Sequence, residues 1–120
     1  MKITKAQRVM LNWLFGGNNI TGGKSDARIL KHLKEALDLK DLTFATAEDS
    51  AQEHDYGLSK VEADWLIAQW DKVFEKEIVP GQMLELALTF SEALEAFSQA
   101  EAERIKSENE KAKAEAEPTL

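Results

Sequence analysis

Glycine and proline divide this chain into segments in which the apolar residues recur every three or four positions. The breaks lie at residues 16–23, at Gly57 and at Pro80-Gly81. Glycine accepts backbone conformations that end a helix, and proline within a helix removes a hydrogen bond, so each break separates two segments. Between the breaks, the three-to-four spacing predicts amphipathic helices, since the apolar residues of a half-buried strand would alternate.

The first two helices follow from this division. Thr4 is the predicted cap of the first, which ends at Gly16-Gly17. Ser25 is the predicted cap of the second, which covers residues 26–38. Serine and threonine favour this position because their side-chain oxygens accept a hydrogen bond from a free backbone amide.

The second half of the chain has the clearest helix start. Ser59-Lys60-Val61-Glu62 forms a capping box, in which the serine and the glutamate satisfy each other's backbone amides. This helix is predicted to run to about Val79, before Pro80-Gly81, and the last helix to begin at Gln82. A short fifth helix is predicted near residues 47–54, where acidic residues favour a helix start.

These elements predict an all-α fold, a small bundle or orthogonal packing of four to five helices. With 120 residues, one domain is expected, and it should cover residues 1–100. Residues 101–120 are mostly Glu, Lys and Ala, and Ile105 is the one large aliphatic residue before the final Leu120. They are predicted to form a solvated helical tail that frays, or to be disordered.

The net charge of −7 is unevenly distributed along the sequence. Residues 1–40 contain eight Lys/Arg and three Asp/Glu, whereas residues 41–120 contain seven and nineteen. Part of this asymmetry is expected to be neutralised when the two halves pack together.

Because cysteine is absent, disulfides and thiolate metal sites are excluded. With no signal-peptide pattern and no apolar run of about 20 residues, a cytoplasmic protein without a membrane partner is expected.

Catalytic motifs are weak in this sequence. Residues 22–25 read Gly-Gly-Lys-Ser before a helix, as in a phosphate-binding loop, but Asn18 stands where that motif needs glycine and a helix precedes it instead of a strand. A weak anion site on the amides of residues 24–26 is the alternative to an ordinary connector. His32 and His54 have no partner at metal-ligand spacing. We therefore expect no enzyme, no cofactor and no metal.

The helix that starts at Ser59 and the last helix carry more large apolar residues than one neighbouring helix can cover. Trp65 and Trp70 point about 140° apart on a helix of 3.6 residues per turn. These helices therefore either form a middle layer of the fold or leave a second apolar stripe exposed. In the second case, a partner-binding site is predicted at five apolar residues: Leu58, Val61, Trp65, Leu84 and Leu88.

The resulting hypothesis is a small non-enzymatic interaction module, such as an adaptor, inhibitor or assembly factor. It would dock an apolar helix face with acidic surroundings onto another protein or a second copy of itself. One alternative is a nucleic-acid-binding protein that uses the basic first two helices, with contacts from Lys24, Arg28, Lys31 and Lys34. Another is an acidic mimic of nucleic acid that inhibits a DNA- or RNA-binding protein.

Overall fold

The computed structural model describes residues 1–16, 19–37, 39 and 53–116, with side chains as far as residue 112. In this part of the chain there are four α-helices and a small two-stranded sheet, so the predicted small, mostly α-helical fold is confirmed. None of these helices is both long and apolar enough to span a bilayer. The elements in chain order are β1 (Lys2–Thr4), α1 (Lys5–Phe15), α2 (Lys24–Ala36), β2 (Glu53–Asp55), α3 (Lys60–Glu75), a 3₁₀ turn (Gly81–Met83) and α4 (Leu84–Ala116).

Two of the predicted helix starts are confirmed. The Gln7 amide donates to Thr4 Oγ1 at 3.1 Å, and the Thr4 amide donates to Gln7 Oε1 at 2.9 Å. The Glu62 amide donates to Ser59 Oγ at 3.1 Å, and the Ser59 amide donates to Glu62 Oε1 at 3.0 Å. Both helices therefore begin with a complete capping box, which satisfies backbone amides that have no partner inside the helix.

The start of α2 differs from the prediction. Its cap is Gly23 rather than Ser25, and the helix runs from Lys24 to Ala36 instead of from 26 to 38. The Gly23 amide donates to Asp26 Oδ2 at 2.9 Å, which is the bond that the acidic residue makes in a capping box. No side chain at the cap position bonds to the amides of the first turn, because glycine has none to offer. A Cβ atom at Gly22 would collide with this carboxylate, which explains the glycine there.

The end of α3 comes four residues before the predicted Val79, at Glu75. Glu77 adopts a left-handed conformation with φ 57°, and the Ile78 amide donates to the carbonyl of Val73 at 3.3 Å. This is the Schellman arrangement that commonly ends a helix, although glycine is the usual residue at its left-handed position. Because a glutamate occupies that position, this helix end has no recognisable signal in the sequence.

The last helix starts two residues later than predicted and is unusually long. The turn at Gly81–Met83 replaces its first residues, and α4 then continues for 33 residues to Ala116. At 1.5 Å per residue its length is about 50 Å, roughly twice that of the 16-residue α3. Its described side chains beyond Glu101 are all exposed, so this part extends past the body of the fold.

The sheet was not predicted. β1 pairs antiparallel with β2, with Ile3 opposite His54. The predicted short helix near 47–54 is wrong at Glu53 and His54, which belong to β2, and its other residues lie outside the described part. Each strand has three residues, too few for the alternating pattern that identifies a strand in sequence.

The core is built around Trp70. Its side chain is completely buried, stacks on Trp13 of α1 at 6.3 Å between ring centroids, and meets Phe90 of α4 edge-on at 6.5 Å. α3 and α4 pack antiparallel, because Trp70 meets Phe90 while the earlier Asp64 accepts a hydrogen bond from the later Ser98. The fully buried Leu33 of α2 joins the same core.

Candidate functional site

Two residues of the predicted apolar site, Leu58 and Trp65, belong to the core. Each is only 9% exposed. The Trp65 ring packs against Phe15 at 6.2 Å, and its Nε1–H donates to Asp26 Oδ1 at 2.9 Å. Asp26, in the first turn of α2, therefore covers the edge of the Trp65 ring. A helical wheel of α3 alone does not show this contact. The hypothesis of an exposed Trp65 anchor is corrected on this point.

The other three residues of that site are exposed but do not lie together. Val61, Leu84 and Leu88 are 67%, 45% and 52% exposed. Lys60, next to Val61, lines the same cavity as Ile105 near the far end of the antiparallel pair. At 1.5 Å per residue, Val61 is therefore on the order of 20 Å along the helix axis from Leu88. The five predicted residues form no single surface.

An apolar groove lies instead between α1 and the start of α4. Its volume is about 510 Å³, within the range of sites that bind ligands or partner side chains. We call it the docking groove, and its lining residues are Ala6, Val9, Met10, Trp13, Gln82, Met83 and Leu86. None of these side chains titrates, so the groove is suited to binding apolar groups rather than to acid–base chemistry.

The sequence of α1 explains why the groove exists. Apolar residues of this helix cover an arc of about 240°, more than one neighbouring layer can bury. Leu11, Leu14 and Phe15 are buried, whereas Val9 and Trp13 remain half-buried at the groove. The excess width of this arc is the signal in the sequence that could have identified the groove.

Trp13 gives the groove a fixed wall. Its ring lies nearly parallel to that of Trp70, with an interplanar angle of 16°, and Trp70 is in turn packed against Phe74 and Phe90. Because Trp70 is completely buried, it restricts the orientations open to Trp13. A pre-positioned aromatic side chain at a groove is typical of residues that dominate binding energy.

The basic residues predicted to contact anions form one face of α2. Lys24, Arg28, Lys31 and Lys34 are all exposed and follow each other at intervals of four, three and three residues. We call these four residues the basic face; along the helix axis they span about 15 Å. Glu35 is exposed on the same side, so the face is positively charged but not exclusively so.

The ion pairs of the described residues include two cations of α3 and α4 and none of the basic face. Within the described residues none of its four cations lies within 4 Å of a carboxylate, whereas Lys60 pairs with Asp64 at 2.6 Å. Arg104 of α4 likewise pairs with Glu101 and Glu108, each at 2.8 Å. Exposed lysines of α3 and α4 such as Lys72 and Lys106 also form no ion pair with a described residue. The basic face is distinguished by the clustering of four cations on one side of one helix.

Two other acids in or near α2, Asp26 and Glu62, are bound to other partners. The Trp65 N–H and the Gly23 amide both donate to Asp26 and hold the pKa of its carboxyl below the ordinary value. Burial raises the pKa of Glu62, but the Ser59 amide and His32, whose Nδ1 lies 2.6 Å from Glu62 Oε2, lower it overall. Because Asp26 already occupies the helix start, the predicted anion site at residues 24–26 is not favoured.

A second cavity, of about 430 Å³, lies beside Lys60 and Ile105 where α4 leaves the body of the fold. Among the described residues, no three His, Asp or Glu side chains converge as metal ligands would.

Comparison of the chain with protein-family models, curated proteins and solved structures gave no match. Function is therefore inferred from the geometry of the docking groove and the basic face.

Proposed function

We propose that this protein is a non-enzymatic protein–protein interaction module that binds the apolar face of a helix from another protein in the docking groove. The observation that carries the proposal is the groove itself, an open apolar concavity with Trp13 held against the buried Trp70. Amphipathic helices are commonly bound in such grooves through apolar residues spaced three or four apart.

The dimensions of the groove suit a short helix. On its α1 side the groove extends from Ala6 to Trp13, which is about 10 Å along the axis, or two helical turns. Two or three apolar side chains at positions i, i+3 or i+4, and i+7 of a partner helix would cover that distance. Gln82 is the one polar lining residue and could bond to a polar group at the edge of the partner.

A different protein is favoured over a second copy of this chain. A symmetric dimer would place groove against groove, and two concave surfaces cannot fill one another. The exposed Leu88 points about 160° away from Leu86 around α4, so inserting it into the groove of another copy would give a head-to-tail contact. Contacts of that kind produce open chains unless the rotation closes into a ring.

The test is a selection of peptides from a randomised library of helix-forming sequences on the immobilised full chain. The selected peptides are then measured against Leu86→Glu and Leu88→Glu. Leu86 lines the groove at 39% exposure, whereas Leu88 is 52% exposed on another side of the same helix. The two variants therefore add the same charge at similar exposure and differ in position.

We expect selected peptides with apolar residues at i, i+3 or i+4, and i+7, which lose at least about tenfold in affinity with Leu86→Glu and little with Leu88→Glu. Failure to enrich any peptide, or a greater loss with Leu88→Glu, would overturn the proposal. Self-association in sedimentation experiments that Leu86→Glu abolishes would identify a second copy as the occupant and overturn the choice of partner.

A further inference from the structure

We propose that the basic face of α2 is a second binding surface, independent of the docking groove, and that it binds the phosphate backbone of a nucleic acid. The inference rests on the charge, the exposure and the shape of this helix. Phosphate contacts by lysine and arginine supply most of the affinity of non-specific nucleic-acid binding, and they require accessible cations rather than a cavity.

The cations of the basic face are available for such contacts. In the described part of the chain no carboxylate pairs with them, although Asp26 belongs to the same helix. Asp26 instead accepts hydrogen bonds from Trp65 and the Gly23 amide. Glu62, from α3, accepts from the amide of Ser59 and contacts His32. Glu35 is exposed on the same side as the basic face, and it pairs with none of the four cations.

The shape of α2 also fits. Leu33 is its one buried residue, so most of its circumference is open to solvent. An α-helix with side chains is about 10–12 Å wide, and the major groove of B-DNA is about 12 Å wide. A helix that is held by one side and free on the other can approach a nucleic-acid groove or strand without moving the rest of the fold.

Charge distribution favours nucleic acid over an acidic protein. Residues 1–37 contain seven Lys/Arg and two Asp/Glu, and the excess of acids lies in the rest of the chain. Arg8 of α1 donates through Nε to the Leu37 carbonyl at 2.7 Å, so α1 adds a cation at the C-terminal end of α2. A dense row of phosphates can engage several cations at once, whereas acidic side chains on a folded protein are more widely separated.

The test uses fluorescence anisotropy with a labelled DNA duplex of about 20 base pairs and a labelled single-stranded RNA of similar length, at about 50 to 200 mM salt. The variant replaces Lys24, Arg28, Lys31 and Lys34 by glutamine. The matched control replaces four exposed lysines elsewhere by glutamine: Lys72, Lys76, Lys106 and Lys111. Both variants change the net charge by the same amount, and circular dichroism checks that both remain helical.

We expect the wild type to bind at low salt, with a log–log salt slope of about −3 to −4 on duplex DNA if all four cations meet phosphates. The basic-face variant should lose on the order of tenfold or more in affinity and most of that slope. The control should retain both. Leu86→Glu should also retain both, because the docking groove lies elsewhere.

Three results would overturn the proposal: no binding to either probe at low salt, an equal loss in the control variant, or equal displacement by poly-glutamate of similar length. The third would assign the basic face to an acidic protein. None of these results depends on whether the docking groove binds a helix, so the two proposals stand or fall separately.

Discussion

The α3–α4 pair and α2 are held in the fold in different ways. α3 and α4 share a core in which Trp70 and Phe90 are completely buried, and Ser98 donates to Asp64 near the other end of the pair. α2 fully buries one leucine, packs Ile29 and Leu30 partly against the core, and makes two polar contacts. These contacts join Trp65 to Asp26 and His32 to Glu62. The α3–α4 pair is thus held by a shared apolar core, whereas most of the surface of α2 is exposed.

The apolar residues of α1 divide between the core and the docking groove. It contributes Trp13 to the Trp70 cluster and yet leaves an apolar edge at the docking groove. Helices that bury their full apolar face contribute stability only, whereas a helix whose apolar arc is wider than its contact also presents a binding surface. α1 therefore contributes to the core, as the α3–α4 pair does, and also leaves part of its surface exposed, as α2 does.

The largest effect should come from breaking the better-packed region. Trp70→Ala should lower the free energy of unfolding by about 3–5 kcal/mol, because it removes an aromatic side chain and leaves a cavity between three helices. Urea denaturation followed by circular dichroism measures this change. Leu88→Ala serves as the control and should change the free energy by less than about 0.5 kcal/mol, since Leu88 is exposed. Similar values for the two variants would contradict the assignment of the core.

A smaller effect compares the starts of α2 and α3. Ser59→Ala should cost about 1 kcal/mol, because the Glu62 amide loses its hydrogen-bond acceptor. Ser25→Ala should have almost no effect, since Gly23 and Asp26 form the start of α2. Both values come from the same urea experiment. A loss at Ser25 as large as that at Ser59 would restore the cap expected from sequence and contradict the observed one.

The serine pair also shows what sequence reasoning could establish in this chain. The cap at Ser59 was predicted because serine and a glutamate three residues later form a recognisable pair, and Thr4 was predicted from its place before an apolar stripe. The prediction for Ser25 failed because the helix begins one residue before it, after Gly23, where Asp26 accepts a hydrogen bond from the Gly23 amide. The end of α3 failed because a glutamate adopts the conformation usually reserved for glycine.

The candidate site was less predictable than the fold. A helical wheel shows which side of one helix is apolar, but it does not show which neighbour covers that side. The sequence left open whether Trp65 lies in a middle layer or on an exposed stripe, and the contact with Asp26, 39 residues earlier, is what covers it. Trp13 and Leu86 lie at the docking groove because α1 and α4 cover each other only in part. Both outcomes depend on the packing of helices, which periodicity alone does not determine.

The smallest expected effect concerns the contact that joins the two regions, the hydrogen bond from Trp65 to Asp26. This bond is the largest cause of the lowered pKa of Asp26, so Trp65→Phe should raise that pKa towards the ordinary value of 3.8, although the Gly23 amide still lowers it. A carboxyl with a lowered pKa in the folded state adds stability above its unfolded pKa, and this stability is lost as the pH falls through the folded value. The variant should therefore lose less stability than the wild type between about pH 4 and pH 2.

A carbon-13 NMR titration of the Asp26 carboxyl measures the pKa, and urea denaturation across this range measures the stability. Trp13→Phe is the control and should leave the Asp26 titration unchanged, because the Trp13 ring packs on Trp70. An unchanged Asp26 pKa in Trp65→Phe would mean that the bond does not persist in solution and that α2 is joined to α3 by its apolar contacts and the His32–Glu62 contact.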